Sequence, residues 1–231
     1  MNLALFDLDH TLIPFDSNSA WMNFLIRVGA TDANAAALQN RAFARDYVAG
    51  TFDPRAYHRF TVGMLAAHAR DRLEQWRREF AAEVGQRAGS ELAAARELVS
   101  RHASSGDLCC IVTTTNRFLA RVFADLFGIE HLVATESATE DGTDASRFTG
   151  EVVGDPCFGP CKVEHVQRWL ERIGRRREDF ERIIFYSDSR NDLPLLNWAD
   201  EAVVVDPDAV LRAEALARGW RILSFRIAPA S

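Results

Sequence analysis

Leu3-Ala4-Leu5-Phe6 is apolar at every position, and the run stops at Asp7, with Asp9 two residues on and Thr11 after it. A strand that is apolar throughout, not only at alternate positions, has both faces buried, as in parallel sheets covered by helices. Unpaired carboxylates are costly in such an interior. Two of them where the run ends suggest a buried strand opening into a polar site. A cation would relieve their repulsion, and hard divalent ions favour such oxygen donors. From this stretch alone, an ordinary strand followed by an acidic turn would look the same.

After Leu12 the pattern changes. From Ser17 to about Gln86 the segments have helical period. Asp16 or Ser17 could cap a first helix through Val28, stopped by Gly29, and Asp32 a second running to Val48 before Gly50. Asp53-Pro54 reads as a cap with proline at the first helical position, opening a third helix to about Ala67. Asp71 could start a fourth through Val84. About seventy residues without a strand are too many for a loop and suit a small helical bundle.

Strand and helix then alternate. Helices are expected at Ser90–Ala103, Arg117–Phe127, Lys162–Ile173, Leu193–Trp198 and Asp208–Arg218. Strands are expected at Leu108–Val112, His131–Thr135, Arg182–Tyr186, Ala202–Val205 and Trp220–Phe225, with a small hairpin around Gly150 within Arg147–Val153. Repeated strand–helix units with short apolar strands predict an α/β fold around a parallel sheet, whose ligands bind beyond the carboxyl ends of the strands.

A chain of 231 residues suits a core domain with an insertion. Its net charge of −6 argues against nucleic acid or an anionic membrane as the default partner. Arg175-Arg176-Arg177 reads as a solvated loop. Four cysteines are too few for a disulfide framework; Cys109 and Cys110 read as buried spacers, and Cys157 and Cys161 lack the spacing and the histidine of a zinc site. No run approaches the length of a membrane span. No signal peptide is visible, and cleaving one would remove Asp7 and Asp9, so a cytoplasmic protein is expected.

Four polar clusters follow an apolar run or open a helix: Asp7/Asp9, Thr113, Lys162 and Asp188/Asp192. Singly, each has a structural alternative. Thr113 could cap a helix, Lys162 lie on the surface, Asp188 sit in a turn and Asp192 be solvated. Together they supply what phosphoryl transfer through a covalent aspartyl phosphate requires. One carboxylate attacks phosphorus and divides a difficult displacement into two easier ones. A magnesium ion offsets the repulsion between the anions. A second carboxyl protonates the leaving alcohol and then accepts a proton from water. A lysine and a hydroxyl hold the phosphoryl oxygens.

Asp7-Leu8-Asp9-His10-Thr11 resembles the DxDxT signature of the haloacid dehalogenase superfamily. Thr113, Lys162 and Asp188-Ser189-Arg190-Asn191-Asp192 resemble its second, third and fourth motifs in order and spacing. The resemblance covers nearly the whole chain. It implies a Rossmann-like, doubly wound parallel sheet core over residues 1–14 and 88–231, with an inserted all-helical C1 cap over 15–87. It further implies Asp7 as nucleophile, Asp9 as general acid/base, and Thr113, the Thr114 amide, Lys162 and Asn191 as phosphoryl contacts. The Asp7 side chain, the Asp9 backbone carbonyl and Asp188 would hold Mg2+, with Asp192 supporting them. Aspartate at position 9 is similar to the phosphatases and phosphomutases, unlike the dehalogenases.

Within the superfamily, Phe148-Thr149-Gly150-Glu151-Val152, Gly154 and Lys162 track the phosphoserine phosphatase-like group. Asp16 falls where those enzymes carry a glutamate that contacts the substrate amine, although it could equally only cap a helix. The arginine that grips a substrate carboxylate falls at Thr61, with Arg55 and Arg59 nearby. Tyr186-Ser187-Asp188-Ser189 through Leu195-Leu196 and Arg218-Gly219-Trp220 look like a bacterial subgroup that includes histidinol-phosphate phosphatases. The partner implied is a small phosphorylated metabolite bearing an amine, such as histidinol phosphate, with Trp21, Phe24 or Phe60 against its ring; phosphoserine is the alternative. A phosphomutase would share the nucleophile and need a bisphosphate activator. A receiver domain would be about half as long and would not carry its phosphorylated Asp on the first strand. A binding protein would be expected to have lost a cluster. The oligomeric state is left open.

Overall fold

The computed structural model describes residues 1–87, 89 and 92–225. The first half runs β1 (Leu3–Phe6), α1 (Ser17–Arg27), α2 (Ala33–Ala49), α3 (Pro54–Ala66), α4 (Arg70–Arg87) and α5 (Ala93–Ser104). Next come β2 (Leu108–Asn116), α6 (Arg117–Phe127), β3 (His131–Thr135), β4 (Ser137–Thr139) and β5 (Phe148–Val152). The chain closes with α7 (Cys161–Arg172), β6 (Ile183–Ser187), α8 (Leu193–Trp198), β7 (Glu201–Val205), α9 (Ala209–Arg218) and β8 (Arg221–Leu223).

Six strands form one parallel sheet in the order β3-β2-β1-β6-β7-β8. The chain winds outward from β1 to β3 and returns to β6 on the other side of β1. The strand order therefore reverses at β1, where open sheets of this type bind ligands. Side chains alternate between two cores, as strand pleating requires. Ala4 and Phe6 pack with α1, α3, α4, α5 and α6, while Leu3 and Leu5 pack with α7, α8 and α9. The result is the expected α/β, doubly wound, Rossmann-like architecture with a helical insertion.

The insertion starts where its sequence signals lie. Asp16, Asp32 and Asp53 cap α1, α2 and α3, each accepting a bond from a first-turn amide. Gly50 terminates α2 in the left-handed conformation. The insertion does not keep a core to itself. Trp21 and Phe24 of α1 and Phe80 of α4 form a ring cluster that continues into Phe118 and Phe123 of α6. Trp21 and Phe24 are therefore core residues and not part of a ligand pocket.

Several expectations shift. The polar run Thr113–Asn116 belongs to β2, which is longer than its apolar part. The hairpin exists, but its partner strand is β4, upstream across residues 140–147, and Gly150 sits within β5 at φ +90°. The backbone angle favours glycine there, because L side chains rarely adopt φ +90°; α3 crosses β5 at the same point, at ordinary contact distance. The fourth helix starts at Arg70, and the last strand covers only Arg221–Leu223. Ser90, the expected start of the fifth helix, lies outside the described residues. All four cysteines are free. Among the described residues, no helix is long and apolar enough to cross a membrane.

His58 of α3 ties the insertion to β4: its ring Nε2 lies 3.1 Å from Ser137 Oγ, and the side chain is buried. Burial, with a smaller contribution from the Arg55 charge, lowers its pKa from 6.5 to about 4. The unfolded chain therefore takes up this proton at higher pH than the folded one. The stabilising contribution is complete above pH 6.5 and is lost as pH falls toward 4. In thermal unfolding, the Tm gap between wild type and His58→Gln should narrow across that window. A gap independent of pH would contradict it.

Candidate active site

The turn after β1 builds the first wall. Leu8 O accepts from the amides of Thr11, Leu12 and Ile13, and His10 adopts φ +61° to close the turn. A non-glycine residue in that region costs on the order of 1 kcal/mol and is often found at functional sites. The turn brings Thr11 Oγ1 to 3.2 Å from both Asp7 Oδ2 and Asp188 Oδ1. One hydroxyl proton can serve only one of these oxygens at a time.

Lys162 supplies the opposing charge. It stands in the first turn of α7, where an ammonium opposes the helix dipole, and it is only 2% exposed. Both penalties are offset by carboxylates: Nζ lies 2.8 Å from Asp7 Oδ1 and 2.8 Å from Asp192 Oδ2. Burial alone would favour the neutral amine, but the charges of Asp192 and Asp7 outweigh it and keep the ammonium protonated. Ser187 Oγ, at the end of β6, donates to the same Asp192 oxygen. Asp192 thus anchors the lysine.

The remaining acids crowd around this pair. Burial pushes Asp7 up, against the pull of Lys162. Asp188 rises to about 8 through burial and the repulsion of Asp7 and Asp192. Asp9 rises to about 8 through burial and then the charges of Asp16 and Asp7. Ionised together beside one lysine, the four carboxyls would carry an excess of negative charge that a divalent cation would neutralise. The oxygen atoms of Asp7 and Asp188, which share one hydroxyl proton, suit a hard ion such as Mg2+. Among the described residues, no three His, Cys, Asp or Glu side chains form a ready-made metal cage. An ion here would rest on two carboxylates and a backbone carbonyl.

The end of β2 forms the third wall. Between the pairs Val112–Val133 and Asn116–Thr135, β2 advances four residues while β3 advances two. Such bulges re-aim side chains beside active sites. Thr113 Oγ1 accepts from the Thr115 amide, leaving its own proton available. Thr114 Oγ1 donates to Cys157 O and so fixes the loop that leads into α7. Thr115 Oγ1 donates to Asp9 Oδ2 at 2.9 Å, while the Ser17 amide holds Asp9 Oδ1 at 2.6 Å.

All nine residues singled out in the sequence (Asp7, Asp9, Asp16, Thr113, Thr114, Lys162, Asp188, Asn191 and Asp192) line one cavity of about 430 Å3. Asp16 caps α1 through Oδ1, bonded to the Ser19 amide, and faces the cavity as well. Thr61 does not line it; its hydroxyl donates to His58 O within α3. Arg55 turns to Asp155 and Gly154 O, and Arg59 to Glu151. The aromatic lining is not the expected Trp21, Phe24 or Phe60. It consists of Phe43 and Tyr47 of α2, Phe52, Tyr57 of α3 and Phe158, linked edge to face or tilted at 5.2–5.5 Å along Phe43–Tyr57–Phe52–Phe158 and Phe52–Tyr47. Sequence reasoning missed these rings, along with Asn18, Asn40 and Thr115. The Phe52-Asp53-Pro54 cap signal was the nearest pointer, since it fixes where α3 starts and so where Tyr57 lies.

Residues 4–197 match the family model described as haloacid dehalogenase-like hydrolase. A histidinol-phosphatase of Neisseria meningitidis serogroup C is 39% identical over 97% of this chain and 99% of its own length. A Bordetella pertussis protein of unknown function has a crystal structure with TM-score 0.88 at 39% identity, covering 97% of this chain and 99% of that one. A substrate-bound phosphoserine phosphatase shares the fold with TM-score 0.63 at 15% identity, over 96% of this chain and 92% of that one. The chain belongs to the haloacid dehalogenase-like hydrolases and is a phosphatase of that family.

Proposed function

We propose that the protein hydrolyses a small, amine-bearing phosphate monoester such as histidinol phosphate, through a covalent phosphate on Asp7. The observation that carries this reading is the buried Asp7–Lys162–Asp192 triplet beside a second carboxyl, Asp9, held at both oxygens. Lys162 keeps the attacking Asp7 oxygen oriented and attracts the dianionic phosphoryl group. Thr113 and the Thr114 amide donate to its oxygens, and Asn191 borders the same space. Asp9 gives a proton to the leaving alcohol and takes one from the attacking water. The Asp7 side chain, the Asp9 carbonyl and Asp188 would hold Mg2+, with Asp192 behind them. The ion, when bound, supplies the positive charge that lets two anions approach.

The lining supports this substrate class. Lys162 is the only lysine or arginine among the lining residues, so a ligand carboxylate finds no second cation. Asp16 instead offers an acidic side chain, and the rings of Phe43, Phe52 and Tyr57 offer π faces to an ammonium or imidazole. The 39% identical histidinol-phosphatase supports the same substrate class. We take residues 15–87 as the cap over a core of 1–14 and 88–231, and a reducing cytoplasm as the compartment that suits four free thiols.

Asp7→Asn should lower Mg2+-dependent phosphate release by more than about a thousandfold; substantial remaining turnover would overturn the nucleophile. With Mg2+, kcat/KM for histidinol phosphate should exceed that for phosphoserine by at least about a hundredfold, about 2.7 kcal/mol of differential transition-state binding. The reverse preference would mean that a cap arginine grips the carboxylate after all.

A further inference from the structure

We propose that Thr115 is a positioning residue that orients the Asp9 carboxyl for both of its proton transfers, an inference resting on the phosphatase reading above. Thr115 is 1% exposed, and its hydroxyl has three polar neighbours: Asp9 Oδ2 at 2.9 Å, Ser17 Oγ at 2.8 Å and Asn18 Nδ2 at 3.3 Å. Asn18 can only donate through that nitrogen, and Ser17 can donate as well. The single Thr115 proton is therefore free to go to Asp9. The other Asp9 oxygen is taken by the Ser17 amide at the start of α1. The carboxyl is thus held on one side by the sheet, through the bulged end of β2, and on the other by the first helix of the insertion. A carboxyl fixed at both oxygens cannot rotate about its own axis, so its proton has a set direction.

The chemistry requires that direction twice. In the first step an Asp7 oxygen bonds to phosphorus and the bond from phosphorus to the leaving oxygen breaks. The electron pair stays on that oxygen, which takes the proton from the Asp9 carboxyl. In the second step the water oxygen bonds to phosphorus, its proton goes to the Asp9 carboxylate, and the bond from phosphorus to Asp7 breaks. Removing the Thr115 hydroxyl leaves Asp9 present but free to turn, which impairs proton transfer more than substrate binding.

The test uses 4-nitrophenyl phosphate, whose nitrophenolate leaves without a proton, beside histidinol phosphate, whose alkoxide needs one. Thr115→Val should release about one equivalent of nitrophenol rapidly and then turn over slowly, because only the second step still needs Asp9. With histidinol phosphate its kcat should fall about a hundredfold with no burst and KM within about threefold, in line with the usual size of general acid–base effects. Thr115→Ser, which keeps the hydroxyl, should recover kcat to within about threefold of wild type. Thr115→Ala carries the same readouts if the valine variant does not fold. Equal losses on both substrates without a burst, or a serine variant as slow as the valine variant, would overturn the positioning role. Failure of the wild type to release phosphate from either ester would instead overturn the phosphatase reading itself.

Discussion

The Lys162 ammonium sits 2.8 Å from a carboxylate just after β1 and 2.8 Å from another after β6, almost out of contact with water. Removing one partner of a buried ion pair costs on the order of 3–5 kcal/mol, because the other charge is left stranded. The three residues therefore depend on one another, and so do the strand ends that carry them. The parallel order β2-β1-β6 puts the end of β1 between two neighbours, and α7 delivers the lysine from the far side of the chain. The reversal of strand order makes the crevice, and the triplet fills it with charge.

The same crowding underlies the proposed binding of a phosphate ester and a cation. Asp7, Asp9, Asp188 and Asp192 crowd one lysine, and burial raises Asp7, Asp9 and Asp188 above the usual carboxylate range. The helical insertion completes the enclosure. The Ser17 amide holds Asp9, Asn18 reaches Thr115 beside it, and Tyr47 places its hydroxyl 2.7 Å from Ser189 Oγ in the loop that carries Asp188. Phe52 of the insertion meets Phe158 of the loop before Lys162. The substrate selection and proton transfer proposed here would therefore share residues with the contact between insertion and sheet.

The core and its charged cluster were legible because their signals are local. An unbroken apolar run ending in acids identifies a buried strand end, and two such ends with a threonine after a third strand and a lysine opening a helix, in the right order, leave few arrangements. The cavity wall was less legible. On α1, α2 and α3 several aromatic residues recur at helical spacing, and periodicity alone does not say which face meets the core and which overhangs a ligand. The pattern therefore points to Trp21, Phe24 and Phe60, whereas Phe43, Phe52 and Tyr57 line the cavity. Gly150 suggests a turn because glycine often makes one, whereas here it supplies a positive φ inside β5. Thr115 was hidden in Thr113-Thr114-Thr115-Asn116: the bulge that sorts those hydroxyls depends on pairing with β3, which is a long-range fact.

The most direct measurement is the fate of the Asp7 carboxyl within a single turnover. The holoenzyme would be mixed with a phosphate ester and Mg2+, quenched in milliseconds, treated with hydroxylamine and sequenced by peptide mass spectrometry. Covalent catalysis at Asp7 predicts a substrate-dependent hydroxamate at position 7 and none at Asp9. Full phosphate release with position 7 unmodified throughout, or a hydroxamate at Asp9 instead, would contradict it.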